Sequence, residues 1–439
     1  MLLSHVSPYF KERRSALMKA NPGSVFIFPS NEEVIRNGDV SYPFRQESNF
    51  YYLSGFTEPD AFLVLAPSSV GGADFKMVLF VRPREPEKEL WEGELYGIER
   101  ACGVFGADEA YPVSEFEKRL PEIFRCCERV YYRLGQNEKN DRRLLSAMEA
   151  YRRSMGRTGK SLLSIGDPTG ILGEMRLFKT SDEIEQLRRA CKITALAHKK
   201  VMQAIKADMN ESEVEALIDY YFRKGGCKRL GFATIVACGK SAACLHYRNN
   251  NEQLKDGELV LIDAGGEFDY YSADVTRTFP VGKKFTKAQA DLYELVLLSQ
   301  KEAIASVKPG VSLPDIHKQV CEVLVDGLLG LGLLTGNLDD IIKNNGHLRF
   351  YPHKTSHWLG IDVHDAGLYI QGTGARVLEE GMVFTIEPGL YIQPTDTSVP
   401  AHFRNIGIRI EDDILVTKTG CEVMTSDAPK EVQEIEALR

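Results

Sequence analysis

An internal repeat in the later part of this 439-residue chain constrains its fold more than any other feature. Residues 204–206 and 210–214 (AIK and NESEV) match residues 306–308 and 312–316 (SVK and SLPDI), at an offset of 102. Further on, residues 254–263 (LKDGELVLID) match residues 378–387 (LEEGMVFTIE), at an offset of 124. Each half predicts helices, then a turn, then a buried strand that ends in an acid. Asp263 and Glu387 therefore take equivalent places.

The length of the chain predicts two domains, because it exceeds what one hydrophobic core usually serves. Turn-forming residues at 166–170 (GDPTG) interrupt the pattern, and Thr180 with Glu183 predicts a capping box that opens the next helix. We expect a smaller α/β N-terminal domain over residues 1–173 and a second domain over residues 174–439. The fold class is then α/β (α+β).

Within these domains, local patterns predict individual elements. Apolar runs at 25–28 and 77–81 predict strands, and residues 115–127 predict a helix. His198 lies on the apolar stripe of the helix that follows Thr180, so we expect it to pack in the core.

Composition excludes several classes of partner. The net charge of -8 leaves no basic surplus for neutralising phosphates, so no nucleic-acid partner is expected. The start shows no apolar signal region and no stretch approaches a membrane span, so we expect a cytoplasmic protein without a membrane partner. Nine cysteines without a C-x-x-C pair predict reduced thiols.

Four carboxylates and one imidazole, each inside a distinctive local sequence, have the make-up of a site for two divalent metal ions. They are Asp263, Asp274, His357, Glu387 and Glu411. A donor set of mostly oxygen with a single nitrogen suits Mn²⁺, Co²⁺ or similar ions. Structural zinc, in contrast, favours sulfur-rich sites. Two divalent cations would also balance four negative charges in a closed pocket.

Local geometry favours this metal site. Two β-prone runs around Gly265, Gly266 and Asp269 predict a hairpin centred between Phe268 and Asp269, which places Asp263 opposite Asp274. The alternative is a pair of solvated turn acids.

Residues 406–413 alternate between two faces, with Arg409 beside Glu411 on one of them. A guanidinium there could orient the carboxylate and hold its charge. By itself this stretch could also be a half-exposed edge strand.

Histidines are sparse in the chain, yet His353, His357 and His364 fall within twelve residues, and His246 precedes Asp263 by 17. Imidazoles that do not bind metal can polarise a carbonyl or carry protons near neutral pH. The alternative is chance clustering of structural histidines.

Three motifs of the second domain strongly resemble aminopeptidase P, the Xaa-Pro aminopeptidase family of the pita-bread metallopeptidases. They are residues 356–365 (SHWLGIDVHD), 386–391 (IEPGLY) and 407–413 (GIRIEDD). The first domain also resembles this family, through residues 44–56 (FRQESNFYYLSGF). The resemblance implies a pita-bread fold with a pseudo-twofold repeat, and a homo-oligomer, dimer or tetramer.

The resemblance also implies a role for each site residue. Asp263 would chelate one metal, His357 and Glu387 would hold the other, and Asp274 and Glu411 would bridge both. His246, His353 and His364 match histidines that line the substrate site, while Arg409 and Tyr391 match positions behind the ligands. The expected cofactor is two Mn²⁺ ions, with Co²⁺ or Zn²⁺ as alternatives.

The implied reaction is hydrolysis of the Xaa-Pro bond at the N-terminus of peptides with proline in second position. A hydroxide shared by the two metals would attack the carbonyl of the first residue. His364 would stabilise the oxyanion, and Glu387 would pass a proton to the leaving proline nitrogen. His246 and Tyr247 are candidates for the proline pocket, and Trp91 either closes the entrance or packs ordinarily.

Three alternatives stay open on the sequence. A prolidase, which cuts only Xaa-Pro dipeptides, would share the fold and all five ligands. Methionine aminopeptidases share the metal site but normally lack so large an N-terminal domain. Non-catalytic pita-bread binding modules and metal-free pita-bread enzymes have lost metal ligands, whereas this chain has the full set.

Overall fold

The computed structural model of the chain describes residues 8–69, 74–158 and 164–439. The chain divides into two compact units, Met1–Leu172 and Gly173–Arg439. The expected boundary between independently folding domains, after residue 173, stays a prediction. No helix in the described ranges is both long and apolar enough to cross a bilayer.

The first unit combines helices with one mixed sheet. Its helices are α1 (Pro8–Ala20), α2 (Ser48–Ser54), α3 (Pro86–Glu92), α4 (Gly97–Gly103), α5 (Phe116–Ile123) and α6 (Glu138–Met155). Its strands are β1 (Ser24–Pro29), β2 (Ile35–Asn37), β3 (Val40–Ser41), β4 (Phe62–Pro67), β5 (Phe75–Val81), β6 (Glu109–Pro112), β7 (Arg129–Tyr131) and β8 (Ser164–Gly166). The helix α7 (Thr169–Leu177) follows.

The main sheet of this unit has six strands in the order β6-β5-β4-β1-β7-β8. The central strands β1, β4 and β5 pair antiparallel, and the outer strands join in parallel. The predicted strands at 25–28 and 77–81 are confirmed as parts of β1 and β5, and the predicted helix at 115–127 is confirmed as α5 with a 3₁₀ turn after it.

The second unit contains the repeat. Its helices are α8 (Ser181–Ala204), α9 (Glu211–Gly225), α10 (Lys287–Ser306), α11 (Leu313–Gly330), α12 (Leu338–Lys343) and α13 (Val432–Leu438). Its strands are β9 (Arg229–Leu230), β10 (Ile235–Cys238), β11 (Leu259–Ala264), β12 (Gly266–Phe268), β13 (Tyr271–Ser272), β14 (Val275–Pro280), β15 (Ile370–Gln371), β16 (Gly374–Ala375), β17 (Val383–Ile386), β18 (Gly389–Ile392), β19 (Ile406–Arg409), β20 (Asp412–Val416) and β21 (Cys421–Val423).

Each half of the repeat begins with a pair of long helices that pack on each other, α8 with α9 and α10 with α11. All four helices open with a capping box, at Thr180, Asn210, Thr286 and Ser312. Reciprocal capping satisfies backbone N–H groups that the helix cannot bond itself. The box predicted at Thr180 is thereby confirmed, and His198 is buried in α8 as expected.

Each half then forms a hairpin whose strands are interrupted near the middle. In the first half, β11 pairs with β14 and β12 with β13; in the second, β17 pairs with β20 and β18 with β19. The interruptions fall at Gly265 and Asp274 in one hairpin and at Glu387 and Glu411 in the other. Acids are therefore concentrated where both hairpins break their regular pairing.

The first hairpin forms as predicted, but its predicted centre is wrong by one residue. Phe268 pairs with Tyr271, so the turn lies at Asp269 and Tyr270. Both residues have positive φ, 50° and 73°, as a two-residue type I′ turn requires. Asp263 consequently pairs with Thr276, and Asp274 lies diagonally from it, two residues nearer the turn.

Comparing the strand pairing in the two hairpins shows which of their residues take equivalent positions. Asp263 pairs with Thr276, and the second hairpin carries Glu387 and Glu411 at the corresponding pair of positions. If the pairing of the first hairpin is continued, Asp274 lies opposite Gly265. The equivalent pair in the second hairpin is Arg409 with Gly389, so Arg409 takes the position equivalent to that of Asp274. The repeat thus conserves the fold of the hairpin but places a cation in one half where the other has an acid.

Candidate active site

All five predicted metal ligands, Asp263, Asp274, His357, Glu387 and Glu411, line one cavity of about 750 Å³ in the second unit. Asp263 lies on β11, while Asp274, Glu387 and Glu411 lie in the interruptions of the two hairpins. His357 precedes Trp358, which bridges to Phe384 on β17. The fold therefore brings together residues that are distant in the sequence.

His357 lies close to three of the four carboxylates, Asp274, Glu387 and Glu411. Its Nε2 atom lies 3.4 Å from Asp274 Oδ2 and 3.5 Å from Glu387 Oε1. One ligand atom each of Asp274, His357 and Glu411 lies within 4.8 Å of the other two. Such spacing is suited to donor atoms arranged around an ion.

The second ring nitrogen fixes the tautomer of His357. Nδ1 lies 3.1 Å from the carbonyl oxygen of Trp358, which can only accept, so Nδ1 carries the proton. Nε2 then presents a lone pair toward two carboxylate oxygens. Lone pairs that face one another repel unless a proton or a metal ion lies between them, and a hydrogen-bonded second nitrogen is the usual arrangement of a metal-binding histidine.

Arg409 is the cation closest to the carboxylates. Its Nη2 donates to Asp263 Oδ2 at 2.6 Å, its Nη1 to the Tyr391 hydroxyl at 2.9 Å and its Nε to Thr276 Oγ1 at 3.0 Å. Tyr391 in turn lies 2.8 Å from His353 Nε2. Since His353 Nδ1 faces the carbonyl oxygen of Lys354, Nε2 accepts the tyrosine proton. Arg409, Tyr391 and His353 form one chain of hydrogen bonds.

Two further residues support the ligands and were missed by the sequence analysis. Thr276 donates its hydroxyl to Glu411 Oε2 at 2.6 Å. Asp413 accepts the backbone N–H of Asp274 at 3.1 Å and the thiol of Cys191 at 3.2 Å. Asp413 could have been noticed, since it alternates with Arg409 and Glu411, but Thr276 looks like any β-branched strand residue.

Burial of like charges controls the electrostatics of the site. Burial, with Glu411 and Asp263 nearby, raises the pKa of Asp274 well above its usual range. Burial likewise raises the pKa of Glu411 well above its usual range and that of Glu387 to about 8. Burial lowers the pKa of His357 to about 4 and that of His353 to about 3.

These features fit two divalent metal ions. Asp263 Oδ1 and Asp274 Oδ1 are buried without a hydrogen-bond partner among the described residues. A buried carboxylate oxygen without a partner is costly, and an ion supplies the missing partner. The donor set of oxygens with one nitrogen matches the ions expected from the sequence.

The remaining predicted histidines lie on the same cavity. The ring of His364 lies 4.3 Å from that of His357, and both His246 and His353 line the cavity wall. Apolar side chains form much of the wall around them: Phe232, Ile235, Leu245, Leu313, Trp358 and Val363.

Several expectations about neighbouring residues need correction. Tyr247 is not among the described residues that line the cavity, and its hydroxyl donates to Glu211 Oε2 at 3.0 Å. The expectation that Trp91 packs ordinarily is wrong, because its side chain on α3 is 87% exposed. Residues 406–416 are buried throughout, which excludes the half-exposed edge strand.

Comparison with known proteins agrees with this geometry. The model of metallopeptidase family M24 matches residues 185–418, and that of the aminopeptidase P N-terminal domain matches residues 10–131. Xaa-Pro aminopeptidase of Escherichia coli is 42% identical over 98% of this chain and 97% of its own, and that of Haemophilus influenzae is 40% identical over 98% and 96%.

Solved structures resemble the whole chain as well. A substrate complex of an Escherichia coli aminopeptidase P variant superposes with a TM-score of 0.95 at 41% identity, covering 99% of this chain and 98% of the other. Pseudomonas aeruginosa aminopeptidase PepP gives a TM-score of 0.95 at 42% identity, with the same coverage. The chain belongs to metallopeptidase family M24, in the group that carries an aminopeptidase P N-terminal domain.

Proposed function

We propose that this chain is a Xaa-Pro aminopeptidase, which hydrolyses the bond between the first residue and a proline in second position and releases the first residue. The observation that carries the proposal is the convergence of Asp263, Asp274, His357, Glu387 and Glu411 on one cavity. Relatives named Xaa-Pro aminopeptidase, similar over nearly the full length, support it.

We assign the five residues as ligands of two divalent ions, most suitably Mn²⁺. When bound, the ions would supply a water of lowered pKa as nucleophile and a Lewis acid for the scissile carbonyl. Asp263 and Glu387 take the equivalent positions of the two hairpins, and each hairpin contributes a second acid, Asp274 in one and Glu411 in the other. A zinc-substituted Escherichia coli aminopeptidase P is known, so zinc stays an alternative metal.

The surrounding side chains would bind and orient the peptide. His364, beside His357, donates to the carbonyl oxygen as negative charge develops there. His246 and His353 face the peptide from the cavity wall. Arg409 positions Asp263 and, through Tyr391, His353.

Glu387 would carry the proton that the leaving nitrogen needs. An Xaa-Pro bond is a tertiary amide, so the proline nitrogen has no proton of its own before cleavage. The Glu387 carboxyl lies 3.5 Å from His357 Nε2 and 3.8 Å from His353 Nδ1. Glu387→Gln should therefore lose turnover even where both metals stay bound; near-normal turnover with both metals bound would exclude the role.

Peptide length separates this function from the prolidase alternative. With Mn²⁺ supplied, we expect efficient cleavage of Xaa-Pro-Xaa tripeptides and longer peptides. Cleavage of Xaa-Pro dipeptides alone would identify a prolidase. A lack of activity with every metal, together with no metal uptake by elemental analysis, would support a non-catalytic module.

We also propose a homo-oligomer in the cytoplasm. Leu90 and Trp91 on α3 are 82% and 87% exposed, an apolar pair suited to contact with another copy. All nine cysteines are free thiols, as a reducing compartment requires. Light scattering after size exclusion should give the mass of a dimer or tetramer, whereas a monomer at micromolar concentration would contradict the homo-oligomer. Cell fractionation tests the cytoplasmic location.

A further inference from the structure

A second group of ligand-type side chains lies outside the carboxylate set. It consists of His317 and Cys321 on α11 and His347 on a 3₁₀ helix, Gly346–Arg349. One ligand atom of each residue lies within 4.8 Å of the other two. His317 and Cys321 are four residues apart, which places them on one face of the helix, the spacing at which helices commonly present two ligands to one ion.

The distance between the first two ligand atoms fits coordination of zinc. His317 Nε2 lies 3.7 Å from Cys321 Sγ. Tetrahedral zinc with Zn–S of ~2.3 Å and Zn–N of ~2.0–2.1 Å separates sulfur and nitrogen by roughly 3.6 Å. A thiol–imidazole hydrogen bond would account for this pair, but it gives no reason for a third ligand to converge on it.

Burial and hydrogen bonding prepare the two imidazoles. His317 Nδ1 lies 2.8 Å from Thr355 Oγ1, which leaves Nε2 for a ligand. His347 is only 6% exposed, and its Nδ1 is buried without a hydrogen-bond partner in the described ranges. Burial lowers the pKa of His317 to about 4 and also lowers that of His347, so both rings are neutral donors near pH 7.

The thiol completes a softer donor set than that of the carboxylate site. Cys321 is 2% exposed, and burial raises the pKa of its thiol to about 11. An ion must therefore displace the thiol proton, which makes binding stronger at higher pH. The exposed Lys354 lies near enough to favour the thiolate form.

We propose that His317, Cys321 and His347 bind a third metal ion, of the zinc class, independently of the carboxylate centre. Two nitrogens and one sulfur select a borderline-soft ion and leave one coordination position open. The site does not depend on the proposed peptidase activity, because none of its ligands belongs to the set of five.

The third site is connected to the cavity. His317 lines the same cavity as the carboxylates. Thr355, its hydrogen-bond partner, accepts the backbone N–H of Glu387 at 2.9 Å through its carbonyl oxygen. An ion on His317 would fix the ring, and with it the position of Thr355 beside Glu387.

Cobalt is the probe that distinguishes the two kinds of site, because only a thiolate ligand gives an intense sulfur-to-Co²⁺ charge-transfer band in the near ultraviolet. The full chain, stripped with a chelator, is titrated with Co²⁺ while absorbance and bound metal are measured. We expect three ions per chain and the band. Cys321→Ser and His347→Gln should each bind one ion fewer, and Cys321→Ser should lose the band.

Two controls make the result specific. Cys421→Ser removes a thiol that donates to the Ile304 carbonyl oxygen, and it should keep all three ions and the band. Asp274→Asn should lower the number of ions bound and keep the band. Circular dichroism verifies that each variant is folded, and retained Mn²⁺ binding does so as well for the variants at Cys321, His347 and Cys421. A wild-type chain that saturates without the band, or a band that persists in Cys321→Ser, would overturn the proposal.

Discussion

Arg409 is the residue that makes the carboxylate cluster tolerable before any metal binds. It is buried and donates to Asp263, Tyr391 and Thr276. Removing one partner of a buried ion pair leaves the other charge without compensation, which typically costs more than the pair itself contributes. The metal-free chain should therefore depend on Arg409 more than the metal-loaded chain does.

We predict that Arg409→Met lowers the free energy of unfolding of the metal-free chain by about 3–5 kcal/mol. Metal should restore part of this loss, since ions then balance Asp263. Urea unfolding with chelator and with Mn²⁺ measures both values. As a control, Arg188→Met removes the exposed pair with Glu422 and should cost less than about 1 kcal/mol. Equal losses in the two variants would contradict the assignment.

The stability of the metal-free chain should fall as pH rises. Burial raises the pKa of Glu387 from 4.5 to about 8, so the folded state holds a proton that the unfolded state releases. Stability from this group is present below pH 4.5 and is lost through about pH 8. The lowered pKa of His357 opposes this trend only below pH 6.5.

Chelator-treated protein should thus unfold at progressively lower urea concentration between about pH 6.5 and pH 8. The slope from one such proton is at most ~1.4 kcal/mol per pH unit. Glu387→Gln should reduce the slope, because glutamine does not titrate. A slope that is unchanged in this variant would show that other carboxyls, such as Asp274, hold the proton.

At the scale of elements, two interrupted hairpins create the site, and four capped helices support them. The sequence repeat predicted this duplication, because matched helix starts and strand ends are local signals. The sequence did not predict which residues pair across the two strands of the hairpin. The turn is decided by left-handed backbone at Asp269 and Tyr270, whereas Gly265 lies in the interruption of the hairpin and Gly266 begins β12.

The capping box of α8 offers a test at this scale. Thr180→Ala removes the side-chain acceptor for the Glu183 backbone N–H and should destabilise the chain by about 1 kcal/mol. Ser181→Ala, the next residue and exposed, should change stability by less than about 0.5 kcal/mol. Both variants should bind metal normally. Loss of metal in Thr180→Ala would mean that α8 positions the ligands directly.

At the scale of the whole molecule, the site residues were easier to predict than their support. The five proposed ligands lie in distinctive motifs, since the chemistry of an ion restricts residue type strongly. Thr276 and the chain from Arg409 through Tyr391 to His353 depend on which side chains meet across strands, and sequence alone does not give that. Tyr247 was misplaced for the same reason.

Because every predicted ligand lies in the second unit, metal should rigidify that unit alone. We expect Mn²⁺ to slow hydrogen exchange in β11, β14 and the segments from β17 to β20. Strands β1, β4 and β5 of the first unit should exchange at the same rate with and without metal. Mass spectrometry of peptic fragments resolves these segments. Equal protection of both units would contradict a site confined to the second.

Anomalous X-ray diffraction from crystals grown with Mn²⁺ would locate the two ions directly. The arrangement of the five ligands predicts two anomalous peaks in the cavity, one coordinated by Asp263, the other by His357 and Glu387, with Asp274 and Glu411 between them. One peak or no peak among these five residues would contradict a dinuclear centre built from the two halves of the repeat.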